Sequence, residues 1–427
     1  MLQILSDNVN LRRSITKLLA SATAGRLLAL LVTPALTRIY SPDVYGLASV
    51  FISIILIVLP IATLRLELAI PISEDESEAR NIAQVALLST FFFALIGGAA
   101  LVALDVMGVS PGAMAGFGGA LYLLPLGLLI CSLNEVLVAF AIRAGRVTNI
   151  ARAQLAQVVA GLVTKLLGGI LSPAPLPLIA GQIVQQGGGL VLLSRSSGRM
   201  VLSFELGRSF WRDVIGVLKR FTDFPMIRMP SQLIQVISAK APVLILAASF
   251  SVEFAGQFAL AFSLLAVPVM LLGNSAGSAL YAEICRFSLT QKREMRSKVL
   301  ALLAWLAVAA LPPVLILWLF GRHLFPIIFG EDWALAGAVA STMSWYLYLQ
   351  ILASPIMHVF TVLRLSKSVL LISVIRLLLT LGVFYAAAVT EHSELETIRW
   401  FSLALTCYYL SVLSYVLVVL SAPEAVR

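Results

Sequence analysis

Long apolar segments, each interrupted by a short polar stretch, recur from one end of the 427-residue chain to the other. Most of these segments are close to the ~20 residues that an α-helix needs to cross a bilayer. The alternation predicts twelve transmembrane helices, near residues 14–40, 45–66, 81–104, 117–142, 148–171, 175–195, 226–250, 254–283, 298–320, 333–360, 367–390 and 398–420. The predicted fold class is therefore an all-α polytopic membrane protein.

Composition strengthens this interpretation, since 60% of the residues are hydrophobic and only 12% are charged. Soluble domains carry about 25% charged residues, so a soluble protein is excluded. The three cysteines and three histidines are scattered without metal-binding spacing, and we expect neither a metal site nor a cofactor. The first predicted helix is too long for a signal peptide and is expected to remain as an anchor.

Basic residues are distributed unevenly between the two sides of the membrane. If the N-terminus is cytoplasmic, nearly all loop Lys and Arg residues fall inside, and only Arg38, Arg322 and Arg399 fall outside. Cytoplasmic loops are enriched in Lys and Arg, so both termini are predicted to be cytoplasmic, with Arg38 and Tyr40 at the outer interface. The net charge of +9 is then explained by anionic membrane lipids, and no nucleic-acid partner is expected.

The longest connection between predicted helices, residues 196–225, contains the sequence RSFWRDVIGVLKRF. Its apolar residues recur at helical spacing, which predicts an interfacial amphipathic helix that anchors in lipid. The predicted domains are an N-terminal six-helix lobe (1–195), this cytoplasmic linker (196–225) and a C-terminal six-helix lobe (226–427).

Two predicted helical hairpins share a proline–glycine–proline frame with spacings of 12 and 14 positions, in either order. The residues are Pro34, Gly46 and Pro60 in the first half, and Pro242, Gly256 and Pro268 in the second. Their offset is close to half the chain, which favours a parallel repeat of six helices.

Three segments resemble signatures of the polysaccharide flippases of the MOP (multidrug/oligosaccharidyl-lipid/polysaccharide) superfamily. They are TPALTRIYSPDVYGLASVF (33–51), LRLELAIPISEDESEAR (64–80) and RFTDFPMIRMPSQLIQVISAKAPVLIL (220–246). The resemblance extends over the whole chain in length, helix count and order. It implies two six-helix lobes around a central cavity that opens alternately to each leaflet.

The resemblance also implies a cargo: undecaprenyl-diphosphate-linked oligosaccharide, moved from the cytoplasmic to the periplasmic face of a bacterial inner membrane. Such a protein is a transporter and not an enzyme. Membrane lipids surround it, the polysaccharide polymerase is a further candidate partner, and H⁺ or Na⁺ is the candidate coupling ion.

Basic side chains inside the predicted helices are the candidates for binding a diphosphate, which needs fixed positive charge. Each ionisable group in a membrane helix costs roughly 2.5–3.5 kcal/mol on insertion scales and therefore needs a reason. The candidates are Arg26, Lys165, Lys240, Arg376 and Arg65. For Arg65, which is nearer the inner surface, snorkelling to the lipid headgroups is the simpler interpretation.

Two carboxylates, Glu67 at the end of the second predicted helix and Glu135 inside the fourth, are candidates for ion coupling. For Glu67, structural pairing with a base is the favoured interpretation. On a continuous helix, Arg65 would point away from Glu67, because residues two apart do not face each other.

Glutamines cluster on three predicted helices, where unpaired amides would be costly in lipid. They are Gln154 and Gln157, Gln182 and Gln186, and Gln235, with Gln185 and Gln232 as neighbours. Their amides either bind sugar hydroxyls or form hydrogen bonds between helices.

Two other functions compete with that of a flippase. A multidrug or cation antiporter of the same superfamily should be rich in buried carboxylates, whereas this chain has more deep basic residues than acidic ones. A membrane polysaccharide polymerase, ligase or glycosyltransferase should carry catalytic groups on sizeable loops, and the predicted outer connections are short.

Overall fold

A computed structural model describes residues 2–108, 112–194, 210–285, 287, 291–363 and 365–421. These residues are helical almost throughout, and no strand occurs among them. The α-helices are α1 (Leu2–Ile39), α2 (Pro42–Ala62), α3 (Glu76–Val106), α4 (Leu123–Arg143), α5 (Val147–Leu171), α6 (Pro175–Gly187), α7 (Phe210–Arg220), α8 (Met229–Ser249), α9 (Val252–Pro268), α10 (Ser275–Ile284), α11 (Lys292–Phe329), α12 (Ala334–Val362), α13 (Ser366–Val389) and α14 (Glu394–Ser421).

Eleven helical stretches of the described chain are long and apolar enough to cross a bilayer. The all-α polytopic class is therefore confirmed, and the chain is a multi-pass membrane protein. The predicted count of twelve is not confirmed, because α12, which coincides with the tenth predicted span, is not among the eleven. Its middle, STMSWYLYLQ (341–350), carries hydroxyl, aromatic and amide groups that lower its mean hydropathy.

The chain forms two compact units, Met1–Val236 and Ile237–Arg427. Six of the eleven spans lie wholly in the first unit and four wholly in the second, while Phe224–Ser249 crosses the boundary. In the first unit, α5 packs against α1 and α6, and α3 packs against α4. In the second unit, α12 packs against α11 and α14, and α14 also packs against α13.

The second predicted helix ends earlier than expected. α2 stops at Ala62, and Leu64 and Arg65 both adopt left-handed backbone conformations with φ 54°. L-residues other than glycine rarely adopt this conformation because the Cβ approaches the following carbonyl oxygen. A 3₁₀ segment, Leu66–Ile72, then leads toward α3, so the chain between α2 and α3 is not a continuation of the helix.

Polar groups hold this 3₁₀ segment and the start of α3. The Arg143 guanidinium donates to the carbonyl oxygens of Ile70 at 3.2 Å and Ser73 at 2.5 Å. Asp75 caps α3 by accepting a hydrogen bond from the Glu78 backbone N–H at 2.7 Å, and this bond holds the pKa of Asp75 below its usual range. The break between α2 and α3 is thereby fixed on both sides.

The predicted amphipathic helix is observed as α7, and the connecting residues 195–209 lie outside the described chain. Lipid anchoring does not account for the whole of its apolar face, because Val217 is buried in the core of the first unit with Ile70 and Ile82. Arg220 pairs with Glu78 at 2.6 Å and also with Glu74. α7 therefore docks on the acidic residues at the start of α3.

Two further predicted spans are interrupted. The fourth consists of a 3₁₀ segment, Gly112–Tyr122, followed by α4. The eighth, predicted over 254–283, is observed as one spanning stretch, Val252–Ile284, in which a π-helical segment, Val269–Asn274, separates α9 from α10. Proline removes a backbone donor and clashes with the preceding turn, which accounts for the interruption at Pro268.

The two predicted hairpins share local geometry. α2 and α9 begin after the extended serines Ser41 and Ser251, and Gly46 and Gly256 are each the fifth residue of their helix. The Ser251 hydroxyl caps its helix by accepting from the Phe254 N–H at 3.0 Å. A parallel repeat of the two halves stays a prediction.

Candidate functional site

The charged residues after α2 form a buried cluster in the first unit. Arg65 and Glu67 make an ion pair with 2.9 Å between nitrogen and oxygen, and Glu67 is only 1% exposed. Glu135 on α4 is close enough to interact electrostatically with both residues. Three ionisable groups from two elements thus meet in one place.

The expectation that Arg65 points away from Glu67 was wrong, because it assumed that α2 continues through both residues. The left-handed turn at Leu64 and Arg65 re-aims the side chains, so residues two apart in sequence face each other. The pairing favoured for Glu67 is present. A coupling role for Glu67 or Glu135 stays a prediction.

Lys165 on α5 is buried, and its Nζ donates to Oε1 of Gln185 on α6 at 2.6 Å. The backbone carbonyl of Lys165 accepts a hydrogen bond from the Tyr40 hydroxyl at 2.7 Å. Tyr40 is 1% exposed, so its side chain is enclosed by the protein, and its predicted place at the outer membrane interface stays a prediction. Its hydroxyl ties the end of α1 to α5.

Glycines allow α5 and α6 to approach closely around this lysine. A Cβ on Gly161 would lie 2.5 Å from Cβ of Gln185 and 2.9 Å from the carbonyl oxygen of Gly181. Atoms cannot approach to these distances without displacement of a helix. The Lys165–Gln185 contact therefore depends on the missing side chains at both glycines.

The candidate glutamines divide into different environments. Gln157 is buried and donates through Nε2 to Oδ1 of Asn134 on α4 at 2.8 Å, which is a helix-to-helix bond. Gln154 has an enclosed Oε1 without a partner among the described residues. Gln182 and Gln186 are half-buried, and Gln235 is exposed.

Two basic candidates, Arg26 on α1 and Lys240 on α8, are half-buried. Neither forms a hydrogen bond or an ion pair with the part of the chain that the structure describes. Arg26 belongs to the first unit and Lys240 to the second. Because no described residue binds their charged head groups, these groups can bind a ligand.

Arg376 on α13 lies among tyrosines in the second unit. The groups that act on its charge are the phenols of Tyr409, Tyr346 and Tyr408, and no carboxylate of the described residues is among them. Its Nε is enclosed and has no hydrogen-bond partner there, as is also true of the Tyr346 hydroxyl. This arrangement differs from the paired arginine of the first unit.

The sequence analysis did not identify several residues that complete these clusters: Asn134, Gln185 as the acceptor for Lys165, Thr380, Tyr408 and Tyr409. Two sequence signals could have identified some of them. Thr380 is a hydroxyl residue four positions after Arg376, and Tyr408 and Tyr409 are adjacent in an apolar helix. The ring of Tyr346 lies 5.8 Å from that of Tyr409.

One protein-family model matches most of the chain. The family model described as "Polysaccharide biosynthesis protein" matches residues 35–338. No curated protein gives a significant match.

Solved structures share the fold at low sequence identity. An inward-facing multidrug resistance transporter of the MATE family, within the MOP superfamily, matches with a TM-score of 0.68 and 11% identity over 93% of this chain and 98% of that one. The lipid II flippase MurJ, in an inward closed conformation, matches with a TM-score of 0.69 and 12% identity over 93% and 87% of the two chains.

A third match is a MOP superfamily transporter from Pyrococcus furiosus described by the reverse polarity of its binding pocket. Its TM-score is 0.59 at 13% identity, over 96% of each chain. The fold is therefore that of MOP transporters. These matches agree with the expectation that the chain is not an enzyme, since they are transporters and a flippase.

Proposed function

The chain belongs to the polysaccharide biosynthesis protein family, and from this membership and its MOP transporter fold we propose that it is a lipid-linked oligosaccharide flippase. Its cargo is an undecaprenyl-diphosphate-linked polysaccharide repeat unit. The protein moves this cargo from the cytoplasmic to the periplasmic leaflet by alternating access. The similarity to a lipid II flippase supports a lipid-linked cargo of this kind.

The observation that carries the proposal is an excess of unpaired positive charge in the membrane helices. Arg26, Lys240 and Lys165 have no carboxylate partner among the described residues, whereas Glu67 already pairs with Arg65. An unpaired ionisable group is costly in a membrane helix and marks a functional site by default. An anionic cargo satisfies these groups, and a cationic drug does not.

Arg26 and Lys240 contact the diphosphate in this proposal, because both head groups are half-buried and lack a partner in the described chain. Arginine provides forked contacts to phosphate oxygens and lysine provides a point charge. Gln154 and Gln235 contact sugar hydroxyls, since neither amide forms a helix-to-helix hydrogen bond with the described residues. Gln157 has a structural role, because its amide holds α5 to α4.

The cluster of Arg65, Glu67 and Glu135 is the proposed site of ion coupling. Glu135 lies near the ion pair and forms no hydrogen bond of its own with the described residues. A carboxylate that shares one arginine with a second carboxylate is protonated more readily than a singly paired one, because the like charge nearby disfavours its ionised form. Binding of H⁺ or Na⁺ at Glu135 would then change the charge of the cluster.

The proposed location is the bacterial inner membrane, with both termini cytoplasmic, because loop Lys and Arg residues concentrate on one side. α7 and the acidic segment that it contacts then face the cytoplasm. On the periplasmic side, the polysaccharide polymerase would receive the cargo.

Deletion of the gene in its native bacterium tests the proposal. We expect loss of surface polysaccharide and accumulation of complete single repeat units on the cytoplasmic face, measured by mass spectrometry and by the membrane side on which they are accessible. Complete units on the periplasmic face would indicate a polymerase instead, and truncated units a glycosyltransferase. Unchanged polysaccharide with reduced drug efflux would indicate the antiporter.

The diphosphate contacts are tested by the double variant R26Q/K240Q. We expect flipping of the lipid-linked unit in vesicles to fall about tenfold or more, since each charge-assisted contact contributes roughly 1.5–3 kcal/mol. The matched control is K367Q/R399Q, which removes the same charge from two exposed positions at helix ends. Normal flipping by R26Q/K240Q at normal expression would contradict the assignment.

A further inference from the structure

The second unit contains an unoccupied set of hydrogen-bond donors around Arg376. Arg376 and Thr380 are four residues apart on α13, so both side chains lie on one face of the helix. Thr380 is 1% exposed, and its Oγ1 has no hydrogen-bond partner in the described chain. The Nε of Arg376 is enclosed and equally unpaired.

α12 and α14 complete the set. Tyr346 is 1% exposed, and its hydroxyl is also unpaired, although the Gln350 amide lies nearby. The rings of Tyr346 and Tyr409 are 5.8 Å apart, and those of Tyr409 and Tyr408 are 4.9 Å apart. Tyr408 is already engaged, because its hydroxyl donates to the Ile372 carbonyl at 3.1 Å.

The chemistry of this set fits an anion. The guanidinium can only donate, and the two unpaired hydroxyls can turn their hydrogens toward a common acceptor. A buried charge without a partner is costly, and the charged groups that act on Arg376 include no carboxylate of the described chain. A bound anion would satisfy the charge and the three unpaired groups together.

The packing bears on which solutes can reach this set. α12, α13 and α14 pack against one another within the second unit, and the rings of Tyr346 and Tyr409 are 5.8 Å apart. Arg376 is half-buried, so a small solute can reach its guanidinium. A small inorganic ion is therefore the ligand class considered.

We propose that Arg376, Thr380 and Tyr346 form a binding site for a small inorganic anion inside the second unit, with chloride or inorganic phosphate as the ligand class. The site is separate from the cargo contacts assigned to Arg26 and Lys240. It does not depend on the proposed function, because an anion bound there needs no cargo.

Binding is tested on the purified full-length protein in detergent with gluconate as the background anion. Chloride is added and followed by NMR line broadening, and phosphate is added separately and followed by phosphorus NMR. We expect saturable broadening with at least one of the two anions. The anion that gives it identifies the ligand.

Variants assign the binding to this site. R376Q should weaken binding about tenfold or more, because it removes a charge-assisted contact. Y346F and T380V each remove one hydroxyl with little change of shape and should weaken binding about threefold to tenfold. R399Q, which removes an exposed arginine from the same unit, should leave binding unchanged.

Two results would overturn the proposal: no saturable binding of either anion to the wild-type protein, or binding that Y346F, T380V and R376Q all leave unchanged. If R376Q fails to fold, the two hydroxyl variants still decide the question. Neither result affects the deletion phenotype, so failure of the anion site is distinguishable from failure of the flippase proposal.

Discussion

The two compact units place a buried arginine in different surroundings. In the first unit, Arg65 pairs with Glu67 at 2.9 Å, and Glu135 lies near both. In the second unit, Arg376 lies among three tyrosines, with no described carboxylate acting on its charge. Arg65 is paired with a carboxylate of the same chain. Arg376, in contrast, has hydrogen-bond donors that no described residue accepts.

This difference separates two reasons for keeping a charge inside a membrane helix. A paired arginine holds the local structure, so removal of its partner leaves an uncompensated charge and should destabilise the fold. An arginine without a partner contributes little to folding by its charge, and removal of that charge should mainly affect ligands. Stability and binding measurements on matched variants therefore test the comparison directly.

The largest effect is expected for Glu67→Gln, which breaks the pair of the first unit. Its free energy of unfolding should fall by about 3 kcal/mol, because Arg65 keeps its charge and loses its carboxylate. The exposure of Arg65, 17%, places this value at the lower end of the range for buried pairs. Unfolding by denaturing detergent in mixed micelles measures the change.

The double variant R65Q/E67Q is the control, since it removes both charges together. It should recover most of the lost stability, because no charge is then left unpaired. A double variant as unstable as Glu67→Gln would show that the pair has no energetic coupling.

The next effect is expected for Gln185→Met, which removes the acceptor of Lys165 Nζ. Stability should fall by about 2 kcal/mol, since a buried charged donor is left without a partner. Gln182→Met on the same helix is the matched control, because Gln182 is half-buried and makes no hydrogen bond with the described residues. Equal losses from both variants would refute a special role for the Lys165–Gln185 bond.

Much of the fold could be predicted from apolar segment length alone, because a bilayer restricts spanning segments to helices of about 20 residues. Helix interruptions could not be predicted in this way. The left-handed pair Leu64 and Arg65 contains no glycine that would predict it, and the 3₁₀ segment that follows the pair is held at its end by Arg143, which lies far away in sequence. The ion pairs of α7 likewise join Arg220 to Glu74 and Glu78, which lie at the start of α3 and far away in sequence.

The candidate site was predicted as a set of residue types and not as a set of contacts. Lys165 and Arg376 could be singled out because ionisable groups are rare in membrane helices. Their partners, Gln185 and Tyr346, come from other helices, so only the packing of α5 on α6 and of α12 near α13 identifies them. Spacing along one helix cannot predict which neighbouring helix supplies a partner.

A smaller effect on stability is expected for Arg376→Gln, in contrast to Glu67→Gln. The free energy of unfolding should change by about 1 kcal/mol or less, because no ion pair within the described chain is broken. The measurement is made in gluconate, so that no small anion stabilises the wild-type protein. A loss as large as that of Glu67→Gln would show that Arg376 has a structural partner.

The smallest effect is expected for Arg220→Ala, which removes the ion pairs between α7 and Glu74 and Glu78. Exposed pairs contribute little, so the apparent melting temperature should fall by less than about 2 °C. The loss should disappear at high salt, because salt screens exposed charges but leaves the buried Val217 contact of α7 intact. Lys219→Ala removes an exposed charge from the same helix and is the matched control. If the two variants behave alike, the docking of α7 rests on apolar packing and not on the charges of Arg220.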